Sequence, residues 1–295
     1  MRPFFENNVL QQQPFKPMII VVDTTKAGSA SNTFVLPIVK AASETVKIYW
    51  GDGTNSTGVN GNNTHVYAAS GVYTVKIESK IFGGLYFNNG GDKAKITKIA
   101  NYGQGVSRLN IGSFFGCSSL LSIDIGNIVS NGADASNQYR GCTALTTVPL
   151  LNLSSVTNAF AMFAYCAALT TVPLLNLSNC TSTRSMFFDC TSLTTIPLLD
   201  LSSVTDAANM FRNCTSLTTI PLLDLSSVTD ATNMFTGVTL TTQSYSDFLI
   251  NLATLPLQSG VSFHGGNSKY NLTAAIARAY LISNFGWTIT DGGAA

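Results

Sequence analysis

Charge is scarce in this chain. Only 11% of its 295 residues are Asp, Glu, Lys or Arg, against about a quarter in an ordinary soluble protein. The formal net charge is +1, so no excess of either sign invites nucleic acid or an anionic membrane. Glutamate occurs only at Glu6, Glu44 and Glu78, and histidine only at His65 and His264. An enzyme acting on polysaccharide would need paired carboxylates across one cleft, and this inventory offers little for that. It offers as little for His-based catalysis or a His-rich metal site. No apolar run approaches the roughly eighteen residues that cross a bilayer. Hydrophobic residues nevertheless make up 45% of the chain, which argues against general disorder. Between Ile111 and Leu240 there is neither Lys nor Glu, whereas nine of the ten lysines precede residue 100. That shift in composition marks a boundary near residues 93–100.

The first seventeen residues contain Glu6 and three glutamines where a signal peptide needs a continuous apolar core, so no Sec export signal is expected. They read instead as an extended arm, with Phe4, Phe5 and Phe15 as candidate docking anchors. From residue 18 to 79 the pattern is that of strands. Met18–Val22, Asn32–Pro37, Thr45–Trp50 and Val72–Glu78 are short β-branched and aromatic runs, separated by Gly, Ser and Asn. The Asp52-Gly53 step suits a tight turn, and Trp50, Tyr67 and Tyr73 are expected to fill a small core. Asp52 and His65 are read as a turn cap and its packing neighbour rather than as a catalytic or metal pair.

From residue 141 to 238 a 24-residue period governs the sequence. Cys142, Cys166, Cys190 and Cys214 keep this step, as do Leu145, Leu169, Leu193 and Leu217, and the Met-Phe pairs beginning at Met162, Met186, Met210 and Met234. A fixed period of this length with leucines in step predicts stacked units, none able to bury its apolar face alone. Within one unit, Cys-x-x-Leu-Thr-Thr-Val/Ile-Pro-Leu-Leu-x-Leu is expected to be extended, and the segment ending in Met-Phe-x-x-Cys to be a short helical turn. The cysteines alternate with valine elsewhere in the pattern and read as small buried hydrophobes with free thiols; no CxxC pair suggests zinc. The threonine row Thr146, Thr170, Thr194 and Thr218 is expected on the solvent side as a candidate recognition face. Beyond residue 240, helices are expected over Ser244–Leu255 and Thr273–Asn284, the second capped by Thr273 with Ile276, Ala279, Tyr280 and Phe285 inward, each followed by a short strand.

Two resemblances follow from these residues. Trp50-Gly51-Asp52-Gly53-Thr54 followed by His65-Val66-Tyr67 and Gly71-Val72-Tyr73-Thr74-Val75 resembles the signature of PKD-type immunoglobulin-like domains. The repeat, written most fully as LTTIPLLDLSSVTDATNMF from Leu217 to Phe235, resembles the BspA-type leucine-rich repeats of bacterial surface proteins and some phage proteins. Together they imply a multidomain fold, an all-β immunoglobulin-like (PKD) sandwich followed by an α/β leucine-rich-repeat solenoid with a C-terminal cap. The expected divisions are an arm over 1–17, the sandwich over 18–92, the repeats over 93–240 (clearest over 141–238) and the cap over 241–295.

Both resemblances imply adhesive scaffolds, with no catalytic residues, no cofactor and no metal to carry over. The functional expectation is a non-enzymatic bacteriophage virion protein: a tail fibre, adhesin or head-decoration subunit. Its N-terminal arm would dock on other virion proteins, and its repeats would meet a host surface glycan or protein. The alternative is a bacterial cell-surface adhesin. Neither nucleic acid nor membrane insertion is expected. Fibre proteins often self-associate, but no trimerising heptad is present.

Overall fold

The computed structural model describes residues 16–40, 43–79, 84–102, 113–124, 128–129 and 133–295. The first part is built from strands β1 (Met18–Asp23), β2 (Thr33–Val39), β3 (Val46–Tyr49), β4 (Asn55–Gly58), β5 (Gly61–Val66), β6 (Val72–Glu78), β7 (Gly84–Leu85) and β8 (Ile96–Tyr102). Two-residue strand β9 (Ser122–Ile123) adds in parallel to β8, giving a six-stranded sheet in the order β4-β3-β6-β1-β8-β9. A second sheet runs β5-β2-β7. Alternation sets the buried faces: Met18, Ile20 and Val22 of β1 and Phe34, Leu36 and Ile38 of β2 are buried, while their neighbours are half-exposed. Tyr67 fixes the β3–β4 corner by donating to the carbonyl of Trp50 at 3.0 Å. Strands β4 and β5 arise from the polar stretch Asn55–Val66, which the sequence pattern leaves as loop around His65.

A buried ion pair fastens one edge of this part. The ammonium of Lys95 is fully buried and donates to the carbonyls of Ser29, Ala30 and Thr33 and to the Ser29 hydroxyl, at 2.7–3.0 Å. Asp92, 3.6 Å away, accepts from the Ser29 and Val35 amides and from the Ser29 hydroxyl. The ammonium has acceptors for all its protons and both carboxylate oxygens accept hydrogen bonds, the condition under which burying an ion pair is tolerable.

The α/β leucine-rich-repeat solenoid expected after the sandwich is overturned. The protein is mostly β-sheet, and the two α-helices among the described residues, α1 (Thr242–Leu252) and α2 (Leu272–Phe285), both lie beyond the repeats. What holds of the expected fold is coarser: a β-rich first part. The physical reason lies in the backbone of each Met-Phe-x-x-Cys segment. Left-handed residues bracket it, Ser185 (φ 56°) and Asp189 (φ 57°) around Met186, and Asn209 (φ 57°) and Asn213 (φ 61°) around Met210. A left-handed residue at every fourth position cannot continue an α-helix. Tight turns form instead, as when the amides of Met186, Phe188 and Cys190 donate three residues back. The intervening amides of Thr183, Ser185, Phe187 and Asp189 donate forward to the carbonyls of Asp206, Ala208, Met210 and Arg212. Each segment thus satisfies its backbone on the next one rather than on itself. Isolated parallel bridges at the same interval, Asn158 to Ser182 to Asp206 to Asp230 and Thr147 to Thr171 to Thr195, complete the pattern. One further short parallel pair joins β10 (Ile128–Val129) and β11 (Leu151–Asn152).

Inside, the aromatic of every segment stacks on that of the next. Phe114, Tyr139, Phe163, Phe187, Phe211 and Phe235 form a column with centroids 5.4–6.0 Å apart and planes within 11° of parallel. Beyond Phe235 the geometry turns edge-on to Phe248 and Phe263, where α1 and β12 (Ser262–His264) close the column. The amide of Phe235 donates to the carbonyl of His264, and β12 in turn pairs in parallel with β13 (Thr288–Thr290). The second helix differs from expectation on two counts. Its cap is Asn271, whose side chain accepts from the Ala274 amide at 3.0 Å, not Thr273. Its buried face is Ala274, Ala277 and Leu281, while Ile276, Ala279 and Tyr280 point outward and Phe285 is half-buried.

Candidate binding face

The extended leg of each 24-residue unit decides what the protein shows to its surroundings. Along it Leu145, Val148, Leu151 and Leu153 turn inward, and the residues between them turn outward. The first leucine of each Pro-Leu-Leu step is one of the outward residues. Leu150, Leu174, Leu198 and Leu222 are 59%, 60%, 59% and 50% exposed, in a single row one unit apart, while their successors Leu151, Leu175, Leu199 and Leu223 are buried. Burying a leucine fully is worth about 1.5–3 kcal/mol, so each of these side chains forgoes roughly 1 kcal/mol in the isolated chain. Contiguous exposed apolar rows of this kind are a feature that interaction surfaces share.

The row lies in a groove of about 890 Å³ whose other wall is polar. Asn152, Asn176, Asp200 and Asp224 stand at equivalent positions along it. Each is held by the serine two residues on: the Ser154, Ser178 and Ser202 hydroxyls donate at 2.6–2.8 Å, and the Ser226 amide at 2.8 Å. The Ser202 hydroxyl and amide lower the pKa of Asp200, so it carries full charge at neutral pH. The groove thus presents amides at Asn152 and Asn176 and carboxyl side chains at Asp200 and Asp224. A second groove of about 660 Å³ continues from Leu222 to α1, bordered by Asp247 and Asn251.

The threonines singled out from sequence, Thr146, Thr170, Thr194 and Thr218, are all exposed and occupy the same leg. Their chemistry is more constrained than a free hydroxyl row. Thr170 donates its hydroxyl to the carbonyl of Thr146 at 3.3 Å, and Thr194 to that of Thr170 at 3.2 Å. These two protons tie unit to unit, leaving the oxygen lone pairs to face a ligand. Phe4, Phe5 and Phe15 lie outside the described residues. The outward leucines went unseparated in the sequence reading, although a signal was there: strict alternation inward at Leu151 and Leu153 places Leu150 outward, and every unit repeats it.

Asp52 and His65 do meet, with Nε2 of His65 2.7 Å from Oδ2 of Asp52. Oδ1 of Asp52 accepts from the Thr54 amide and hydroxyl at 2.9 and 2.6 Å, and His65 lies flat on Trp50 with centroids 4.8 Å apart. Partial burial pushes the Asp52 carboxyl up, but the hydrogen bonds from Thr54 and His65 outweigh it and bring it down to about 2. The geometry is that of a stapled turn. The six cysteines are free and buried. Four of them donate Sγ–H to a carbonyl of the preceding unit at 3.1–3.3 Å, and burial pushes the Cys190 thiol up to about 12. Among the described residues no group of three His, Cys, Asp or Glu is placed to hold a metal ion, and no helix is long and apolar enough to cross a membrane.

These features define a β-rich protein that displays an in-register apolar row beside a polar one. Residues 133–248, less than half of the chain, match a family described as Mycoplasma protein of unknown function, DUF285. The match takes in the clearest repeats, over 141–238, and most of α1. No curated protein matches the chain, and no solved structure matches it. The likenesses to PKD-type domains and BspA-type repeats rest on the residues quoted above.

Proposed function

We propose that this protein is a non-enzymatic structural component of a bacteriophage virion, a tail fibre, adhesin or head decoration, that presents its leucine-and-threonine face to a host or partner surface. The observation that carries the binding role is the row of four half-exposed leucines in register along a groove walled by Asn and Asp. A row repeated at one outward position, unit after unit, suits an extended partner lying along the stack. The placement on a virion rests on the adhesive character of both resemblances and on the N-terminal arm as the docking element.

The test has two parts. Peptides from this chain should co-purify at stoichiometric levels with density-banded particles and be absent from washed cell envelopes. The double substitution Leu174→Ser/Leu198→Ser should leave folding intact and weaken adsorption of the purified protein to host cells by at least tenfold. Adsorption unchanged by that substitution would refute the face. Peptides confined to envelopes would favour the second reading, a bacterial cell-surface adhesin, which the similarity to a family described from Mycoplasma supports.

A further inference from the structure

The turn segments carry a second column at the surface, separate from the leucine row, half-buried except at the exposed Tyr165. Phe115, Arg140, Tyr165, Phe188 and Arg212 follow one another up the stack. The guanidinium of Arg140 lies 5.2 Å from the ring centroids of both Phe115 and Tyr165, sandwiched between them. That of Arg212 lies 5.6 Å from the Phe188 ring, and Phe188 meets Tyr165 edge-on at 5.2 Å. Each arginine is oriented by one asparagine: Arg140 donates to Asn137 at 3.2 Å and Arg212 to Asn209 at 3.3 Å.

What sets these two arginines apart is their charge balance. Lys95, Arg184 and Arg278 each have a carboxylate within 3.6 Å, whereas no ion pair involves Arg140 or Arg212 among the described residues. The Nε of Arg212 is buried with no hydrogen-bond partner, an unusual state for a charged donor. Stacking on aromatics holds both guanidinium planes in place in advance, so little freedom is lost when an anion arrives. Successive units along a parallel ladder rise by about 5 Å, so the two cations stand roughly 15 Å apart with two rings between them.

We infer that this column is a binding strip for an anionic glycan. Tyr165 and Phe188 would stack on the apolar faces of sugar rings, and Arg140 and Arg212 would pair with carboxylates carried at intervals along the chain. A polymer charged at every residue fits less well. Single-stranded nucleic acid stacks on aromatics too, but it would bring a phosphate per nucleotide to two cations, on units that also carry Asp189, Asp206 and Asp230. The strip does not depend on the leucine face or on where the protein resides.

The experiment measures binding of the full-length protein to a hexasaccharide of alternating glucuronate and N-acetylglucosamine, charged at every second sugar, at low salt, with a neutral dextran oligomer and an oligothymidylate as comparisons. Binding of this hexasaccharide is expected to be selective over both and to weaken as salt rises. Arg140→Gln/Arg212→Gln should weaken it by at least about tenfold, the effect of losing charge-assisted contacts, while Leu174→Ser/Leu198→Ser leaves it unchanged. If the arginine pair fails to fold when replaced, Tyr165→Ala, at an exposed ring, decides by the same criterion. No binding by the unaltered protein, equal binding by the folded variants, or tighter binding of oligothymidylate than of the hexasaccharide would each overturn the inference.

Discussion

Removing one ring from the middle of the aromatic column measures how much the column holds. Phe187 is fully buried, with Phe163 5.7 Å away on one side and Phe211 5.6 Å away on the other, both within 6° of parallel. Truncating a buried Phe to Ala costs about 3–5 kcal/mol in transfer and cavity terms. Two stacked contacts at about 0.5–1.5 kcal/mol each place Phe187→Ala at the top of that range, near 5 kcal/mol. Phe187→Leu keeps most of the volume and should cost only about 1–2 kcal/mol. Since whole domains are stable by about 5–15 kcal/mol, the alanine variant stands at the margin of folding. Guanidinium titration followed by circular dichroism gives the loss directly. Hydrogen exchange locates it: the amides of Thr183, Ser185, Phe187 and Asp189, which donate to the following unit, should lose protection while those of β1 and β6 keep theirs. A loss below about 2 kcal/mol, with protection of those four amides intact, would refute the column's role.

Three further outcomes are expected. The Asp52 carboxyl sits at about 2 in the folded protein against an ordinary 3.8, so its contribution is fully present above pH 4 and is lost as pH falls towards 2; thermal melts across pH 2–6 should show this loss, and Asp52→Asn should remove it. Lys95→Met strands the buried carboxylate of Asp92 and four acceptors, and should cost about 3–5 kcal/mol in a denaturant titration; a loss under about 1 kcal/mol would show that the site relaxes or floods with water. At Ser185, with φ 56°, a β-branched side chain meets the left-handed penalty that glycine escapes, so Ser185→Val should be less stable than Ser185→Gly by about 1–2 kcal/mol.

Much of the interior was legible in the sequence because burial repeats with a fixed period. Alternation marked Met18, Ile20 and Val22 as inward, and the 24-residue step marked the Cys, Leu, Met and Phe rows. The turns were not legible. Asparagine at 137, 209, 213 and 233 hints at left-handed backbone, but Ala161, Tyr165 and Ser185 hold equivalent places and carry no such preference. There the forward hydrogen bonds to the next unit impose the conformation, so a Met-Phe step that could begin a helix is kept from doing so. Strand β5 is hard to read because it is polar: it pairs with β2 from Thr33–Val66 to Ile38–Gly61 at a sheet edge, where Asn62 and Thr64 are exposed and the buried Asn63 is satisfied by the Val59 amide and by the carbonyls of Leu36, Val59 and Gly61. The candidate face was half legible. Its threonines were visible as a row, whereas its leucines were hidden among the leucines of the core.

The forward donation of backbone amides has a genetic consequence. Because each unit is completed by carbonyls of its successor, and β12 supplies the same service to the last one through His264, the closing segment is indifferent to how many units precede it. Unequal recombination between the coding repeats would add or delete 24 residues at a time without disturbing either end. A lineage could thereby lengthen or shorten the displayed surface in a single event, changing the reach of the face before any contact residue has mutated.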